Sequence, residues 1–450
     1  MKKNFILLIA IIILLPCHAQ GALRNKQLPT INIQSKIEYV NIGWWENFSD
    51  PNLKAYITKA IENNHEAKQA SWKVEEYKQN VKKQFSQELP SLSVGGDYIL
   101  NHVGEVSGIK NNIFAVPFTA SYEADIFLKN RDKTKSSKKT YEATKFQEQS
   151  IYISLASNVA TTYINIVKYD KQIELQRKLV DIKREELSRE ELKYKNGLSS
   201  VLILNEYKKN CETAKGDLNE LLKTRDKALN QLAVLIGDSP ENASTIKRNS
   251  WDDLTYKTTI PNEISSDVVF SRPDILSAEA NLQKANIDVR VARKEFLPKI
   301  SITGIYAFTN FGAASFGSWE STVAAMLAGA SMDLFKGGQK VANLKGSKAR
   351  YEQMFEAYKQ YDLNALKEVN DSLLVIKQDT NINQTAVTKL TLQKDSCNRT
   401  ADKYRKGIIA YPALLAEQEK HVSIQQNVVS SKANCFINYI TLYKAVGGKL

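Results

Sequence analysis

Histidine and cysteine are scarce, four of each in 450 residues. His18, His65, His102 and His421 stand alone, and Cys17, Cys211, Cys397 and Cys435 form no CxxC or Cys/His cluster. A zinc or redox centre needs such ligands at close spacing, so no metal site is expected. The three cysteines after Cys17 lie far apart in helical patterns. That odd number argues against a disulfide framework and for small core residues. No phosphate-cradling glycine loop opens a helix either; Gly95-Gly96 and Gly337-Gly338 fall in strand-rich places. Neither a cofactor nor an enzyme is expected. Long apolar runs are also missing. Only residues 5–15 are unbroken, and nothing else approaches the ~20 residues of a membrane helix.

That one run follows Lys2 and Lys3 and reads as a secretory signal, too short to span a bilayer. Two cleavage patterns compete. Leu14-Leu15-Pro16-Cys17 resembles a lipobox that would leave Cys17 lipidated, although Pro16 sits where a small residue is usual. Cys17-His18-Ala19 fits ordinary cleavage before Gln20. The net charge is +13, but Lys and Arg alternate with Glu and Asp along helices, as in Lys183-Arg184-Glu185-Glu186. Such faces are solvated, so the basic balance names no partner and gives no reason to expect nucleic acid.

What is present is a duplication. Leu89-Pro90 returns as Leu297-Pro298 and Asp125-Ile126-Phe127 as Asp333-Leu334-Phe335, both 208 residues on. Tyr194-x-x-Gly197 returns as Tyr404-x-x-Gly407, and Leu235-Ile236-Gly237 as Ala445-Val446-Gly447, 210 residues on. One architectural unit is used twice. In the first copy Tyr152, Val159, Ile166, Ile173, Val180, Leu187 and Tyr194 recur every seven residues; Val369, Ile376, Asn383, Leu390, Cys397 and Tyr404 repeat the register. A sustained seven-residue period predicts long helices packed side by side. Each unit is then a helical hairpin with Gly197 or Gly407 at its tip, the first returning along Leu204, Cys211, Leu218 and Leu232. Shorter helices open at Asp50-Pro51 and near Ser271-Arg272-Pro273-Asp274. Taken alone, the heptads fit a structural coiled-coil protein.

Residues 92–100, 114–122, 301–309 and 322–332 have strand character and about the length that crosses a bilayer as a tilted strand. Asn111-Asn112 and Asn310-Phe311-Gly312 mark turns. Tyr98, Phe114, Tyr122, Tyr306, Phe308, Phe316 and Trp319 put aromatics near membrane boundaries. Four strands cannot close a barrel, and open edges are not tolerated in hydrocarbon. Several chains must therefore share one barrel, and three would supply twelve strands.

These residues resemble the TolC-like outer-membrane efflux proteins, in the OprM/NodT branch. The resemblance rests on Trp44-Trp45, Phe48 and Asp50-Pro51, then Leu89-Pro90, Ser121-Tyr122-Glu123-Ala124-Asp125-Ile126-Phe127, Gly197 and Leu235-Ile236-Gly237. Ser271-Arg272-Pro273-Asp274-Ile275, Phe296-Leu297-Pro298, Leu334-Phe335-Lys336-Gly337-Gly338 and Leu442-Tyr443-Lys444-Ala445-Val446-Gly447-Gly448 complete it. It implies a mixed α and β membrane protein, a homotrimer with a shared twelve-stranded outer-membrane β-barrel above a periplasmic α-helical barrel. It implies an exit duct for small molecules such as drugs, working with a periplasmic adaptor and an inner-membrane resistance-nodulation-division transporter. The rival within the family is a duct for protein secretion through an ABC transporter.

The expected division is a signal peptide over 1–19 (or 1–16 before a lipidated Cys17), an equatorial segment and helix over 20–88, and strands over 89–128. A hairpin over 129–237, an equatorial segment over 238–266 and a helix over 267–296 follow. Strands over 297–335, a second hairpin over 336–447 and a tail over 448–450 end the chain. The resemblance makes the tips around Gly197 and Gly407 the closed aperture. Its acidic ring falls at Ala416, so the charge is expected to be displaced, weakened or supplied by Glu206 and Glu417.

Overall fold

The computed structural model describes residues 32, 34–100, 112–257, 261, 263–309 and 322–449. Cys17 and both leader boundaries lie outside the described residues, as do Asn111, residues 310–312, Phe316 and Trp319. A short helix α1 (Gln34–Ile37) leads to α2 (Pro51–Asn63) and α3 (His65–Phe85). Strands β1 (Ser91–Val94), β2 (Asp97–Leu100) and β3 (Asn112–Ala124) precede α4 (Lys129–Lys195) and α5 (Val201–Leu235). The pattern then repeats: α6 (Ser266–Phe270), α7 (Pro273–Lys294), β4 (Lys299–Thr309), β5 (Thr322–Ser331), α8 (Gln339–Arg405) and α9 (Tyr411–Ala445).

Both long helices have 67 residues and both return helices 35, so the duplication holds residue for residue. At 1.5 Å per residue, α4 and α8 each run ~100 Å. Neither glycine nor proline interrupts α4, and no helix is long and apolar enough to cross a membrane among the described residues. The helices lie side by side in the order α5-α4-α9-α8 towards the hairpin tips and α3-α4-α7-α8 towards the sheet. The heptad seam of α4 is buried from Tyr152 through Val180, whereas Leu187 is half-buried and Tyr194 exposed. Of the α8 seam only Val369 and Ile376 are buried, because α8 ends the row and has a neighbour on one side alone.

All four long hairpin helices stop on a left-handed glycine: Gly197, Gly237, Gly407 and Gly447 have φ of 72°, 72°, 71° and 66°. At the first tip Leu198 N–H donates to Lys193 O (2.8 Å) and Gly197 N–H to Tyr194 O (3.0 Å), capping the last carbonyls. Identical φ does not mean identical tolerance. A Cβ at Gly197 would meet nothing within 4 Å, but at Gly237 it would lie 2.6 Å from the Asn63 carbonyl oxygen. Gly197→Ala should cost only the left-handed penalty, ~1–2 kcal/mol, and Gly237→Ala clearly more. Thermal unfolding followed by circular dichroism checks this; equal shifts would refute the difference.

The main core sits midway along the helices. Segment 40–48 folds over α9, with Trp44 stacked on Tyr443 at 4.4 Å and Trp45 edge-on to it at 4.8 Å. Phe48 bridges to Tyr256 and packs on Phe436. Tyr443 also accepts from the Asn41 N–H at 3.0 Å, and its burial pushes the phenol up to about 12. Asp50 caps α2 through Asn52 N–H (2.9 Å) and is itself buried. It accepts from Tyr163 Oη of α4 at 2.6 Å and from Asn249 Nδ2 at 3.1 Å. One cap residue thus ties three segments together.

The sheet is antiparallel throughout, in the order β1/β2-β3-β4-β5. The single strand expected over 92–100 is broken at Gly95-Gly96, although its register against β3 continues unchanged. Pro117 causes the break. Gly95 N–H donates to Pro117 O at 2.9 Å, but proline has no N–H to return, so the pair is half made.

Candidate functional site

Strand register sorts the sheet into two faces. One carries Leu92, Val94, Tyr98, Phe114, Val116, Phe118, Ala120, Tyr122, Ile300, Ile302, Gly304, Tyr306, Phe308, Ala324, Met326 and Ala328. It has no charged residue. The other carries every charge of the described strands, Asp97, Glu123 and Lys299. Hydroxyls of Ser91, Ser93, Thr119, Ser121, Ser301 and Thr303 share that face with apolar residues, among them Ala115, Ile305, Ala307, Val323 and Leu327. All five expected aromatics within the described strands lie on the apolar face. In register the separation of the two faces is complete for charge.

Both sheet edges are open. The β1/β2 edge exposes Leu92 (77%) and β5 exposes Met326 (82%). An unpaired apolar edge is a template for another strand. The helical row is open in the same way: Leu363, Leu374, Ile382 and Leu392 of α8 are exposed on one side, Trp72 of α3 and Val234 of α5 on the other. Apolar surface on this scale marks an interaction site.

At the tips the two hairpins touch. The Arg189 guanidinium of α4 lies 3.7 Å over the Tyr411 ring of α9. Lys183 of α4 pairs with Glu419 at 2.6 Å, Gln426 donates to Gln176 at 2.9 Å, and Gln172 to Ser430 at 3.0 Å. The residues singled out from sequence are not brought to one point. Glu417 is half-buried and turned into its own hairpin, accepting from Gln393 Nε2 (2.7 Å) and Ser396 Oγ (2.6 Å) of α8. The Ser396 bond, followed by Gln393 and Lys420, holds its carboxyl below the usual range. Glu206 is exposed on α5 and Ala416 exposed on α9. Gly197 and Gly407 occupy the turns themselves.

Sequence reasoning missed the joint at Arg272. It was quoted only as a landmark, yet its side chain is 8% exposed and reaches three elements. It bonds Asp274 (2.7 Å) of α7, Glu368 (2.8 Å) of α8 and the Ala445 carbonyl (2.8 Å) of α9. Gly447 closes over it, where a Cβ would stand 3.1 Å from Pro273 Cδ. The opposite charges of Arg272 and Asp274, two residues apart in the landmark, were the available signal. Cys211 and Cys435 are buried and Cys397 half-buried, all as free thiols. Among the described residues no group of His, Cys, Asp and Glu could hold a metal ion.

The family described as outer membrane efflux protein matches residues 56–238 and 265–448, one stretch for each copy of the repeat. The cation efflux system protein CusC of Escherichia coli strain K12 is 26% identical over 417 residues, covering 91% of this chain and 89% of its own. The toluene efflux pump outer membrane protein TtgC of Pseudomonas putida is 25% identical over 431 residues, covering 90% and 85%. The crystal structure of the Campylobacter jejuni CmeC outer membrane channel superposes with a TM-score of 0.81 at 22% identity, covering 91% and 88%. The chain belongs to the outer membrane efflux protein family and is an exit duct of an efflux system in the outer membrane of a Gram-negative bacterium.

Proposed function

We propose that three copies join edge to edge, closing a twelve-stranded barrel in the outer membrane above a helical tunnel in the periplasm. The observation that carries this is the sheet itself, with one uncharged apolar face and two open edges. In hydrocarbon those edges need partners, and the exposed apolar flanks of α8 and of α3/α5 lie ready to close the tunnel by the same step. The duct performs no chemistry and holds no cofactor. It passes small molecules received from an inner-membrane transporter of the resistance-nodulation-division type through a periplasmic adaptor. Relatives named for cation and toluene efflux support small cargo over secreted protein. Cys17, if retained, is lipidated, and intact mass of the mature protein decides it.

Purified mature protein should extract only with detergent and run as a trimer resistant to mild dissociation. A monomer soluble in detergent-free buffer would overturn the proposal. The tips form the aperture in this reading, and their two carboxylates divide the work. Glu206→Gln should change single-channel conductance and leave melting unchanged. Glu417→Gln should weaken the α8–α9 hairpin by ~1–2 kcal/mol. Conductance of the Glu206 variant equal to wild type would remove Glu206 from the aperture.

A further inference from the structure

The charge surplus that seemed scattered along the sequence gathers at one level of the fold. Four segments lie at or just below one end of the sheet: residues 78–89 from the end of α3, 129–139 opening α4, 290–299 from the end of α7 to the start of β4, and 336–350 leading into α8. Together they hold eighteen Lys and Arg against three acidic residues, a surplus larger than the net +13 of the whole chain. That Lys294 pairs with Asp132 at 2.7 Å, and that Ala292 and Arg350 line one cavity, places three of the segments at the same height. Among the described residues, Lys82, Lys83, Arg131, Lys138, Arg293, Lys345 and Lys348 have no carboxylate within ion-pair distance and are exposed.

Each basic segment abuts exposed apolar residues on its sheet side. Phe85 and Leu89 adjoin Lys82, and Ile126 and Phe127 precede Arg131. Leu297 follows Arg293 by one helical turn, and Leu334 and Phe335 lead into α8. An apolar face, then aromatic and aliphatic rims, then unpaired cations is the order of chemistry met on leaving a bilayer through its headgroups. Long basic side chains reach such headgroups while their stems stay on apolar surface. We propose that this basic belt docks the anionic phospholipid headgroups of the periplasmic leaflet and so fixes the depth of the barrel. The inference rests on the outer-membrane duct reading.

The test uses the mature trimer in nanodiscs containing equal phosphatidylglycerol and phosphatidylcholine, with retained lipid quantified after detergent washing. Wild type should keep phosphatidylglycerol at least ~10-fold over phosphatidylcholine, given about 1 kcal/mol for each cation near an anionic surface. The variant R131Q/K138Q/R293Q/K345Q/K348Q should lose that preference, and raised salt should erase it in wild type. Equal retention of both lipids by wild type, or an unchanged preference in the variant, overturns the inference. So does a shifted reversal potential without lipid change, which would put the cations in the lumen. A preparation with neither trimer nor conductance strikes at the duct reading instead.

Discussion

Gly304→Arg is expected to abolish outer-membrane insertion, while Thr303→Arg, one residue away, leaves it intact. Gly304 lies mid-strand on the uncharged face, opposite Ala120 and Met326, and Thr303 lies on the charged face opposite Ser121 and Leu327. An arginine at the lipid midplane costs ~2–4 kcal/mol, incurred three times in the proposed trimer. The same side chain in a water-filled lumen costs little. Space is no obstacle, since a Cβ at Gly304 meets nothing within 4 Å. Membrane fractionation of both variants, with helical content followed by circular dichroism, is the measurement. Normal insertion of the Gly304 variant would show that this face does not meet lipid.

Arg272→Ala is the second. The side chain is nearly buried and the carbonyl of Ala445 has it as a charged donor. Glu368 is 54% exposed, so that arm contributes little; the Asp274 and Ala445 arms dominate. Their loss should destabilise the protein by about 3 kcal/mol, the upper end for hydrogen bonds to a charged group. Arg272→Lys should recover less than half, because an ammonium cannot span the fork. Melting of the detergent-solubilised protein at the wild-type temperature for Arg272→Ala would dismiss the joint. The residue ties the start of the second repeat to its end, so local loosening should appear there first in hydrogen exchange.

Much of the fold was legible in the chain. The tip glycines announce themselves because only glycine takes a left-handed φ without penalty, and the repeat spacing shows that both hairpins are built alike. The Asp50-Pro51 cap and the seven-residue seam reflect interactions between residues close in sequence. The roles of Glu417 and Arg272 were not legible, because Ser396 lies 21 residues from Glu417 and the Ala445 carbonyl 173 residues from Arg272. Nor was the split strand foreseen, since Pro117 acts on Gly95 through the ladder rather than along the chain.

The sequence by itself determined the duplication, the helix lengths and the shortage of strands, all set by local pattern and by counting. Only the tertiary structure decided which face of the sheet is free of charge and where the excess lysines and arginines collect. Both depend on register and height, which align residues hundreds of positions apart.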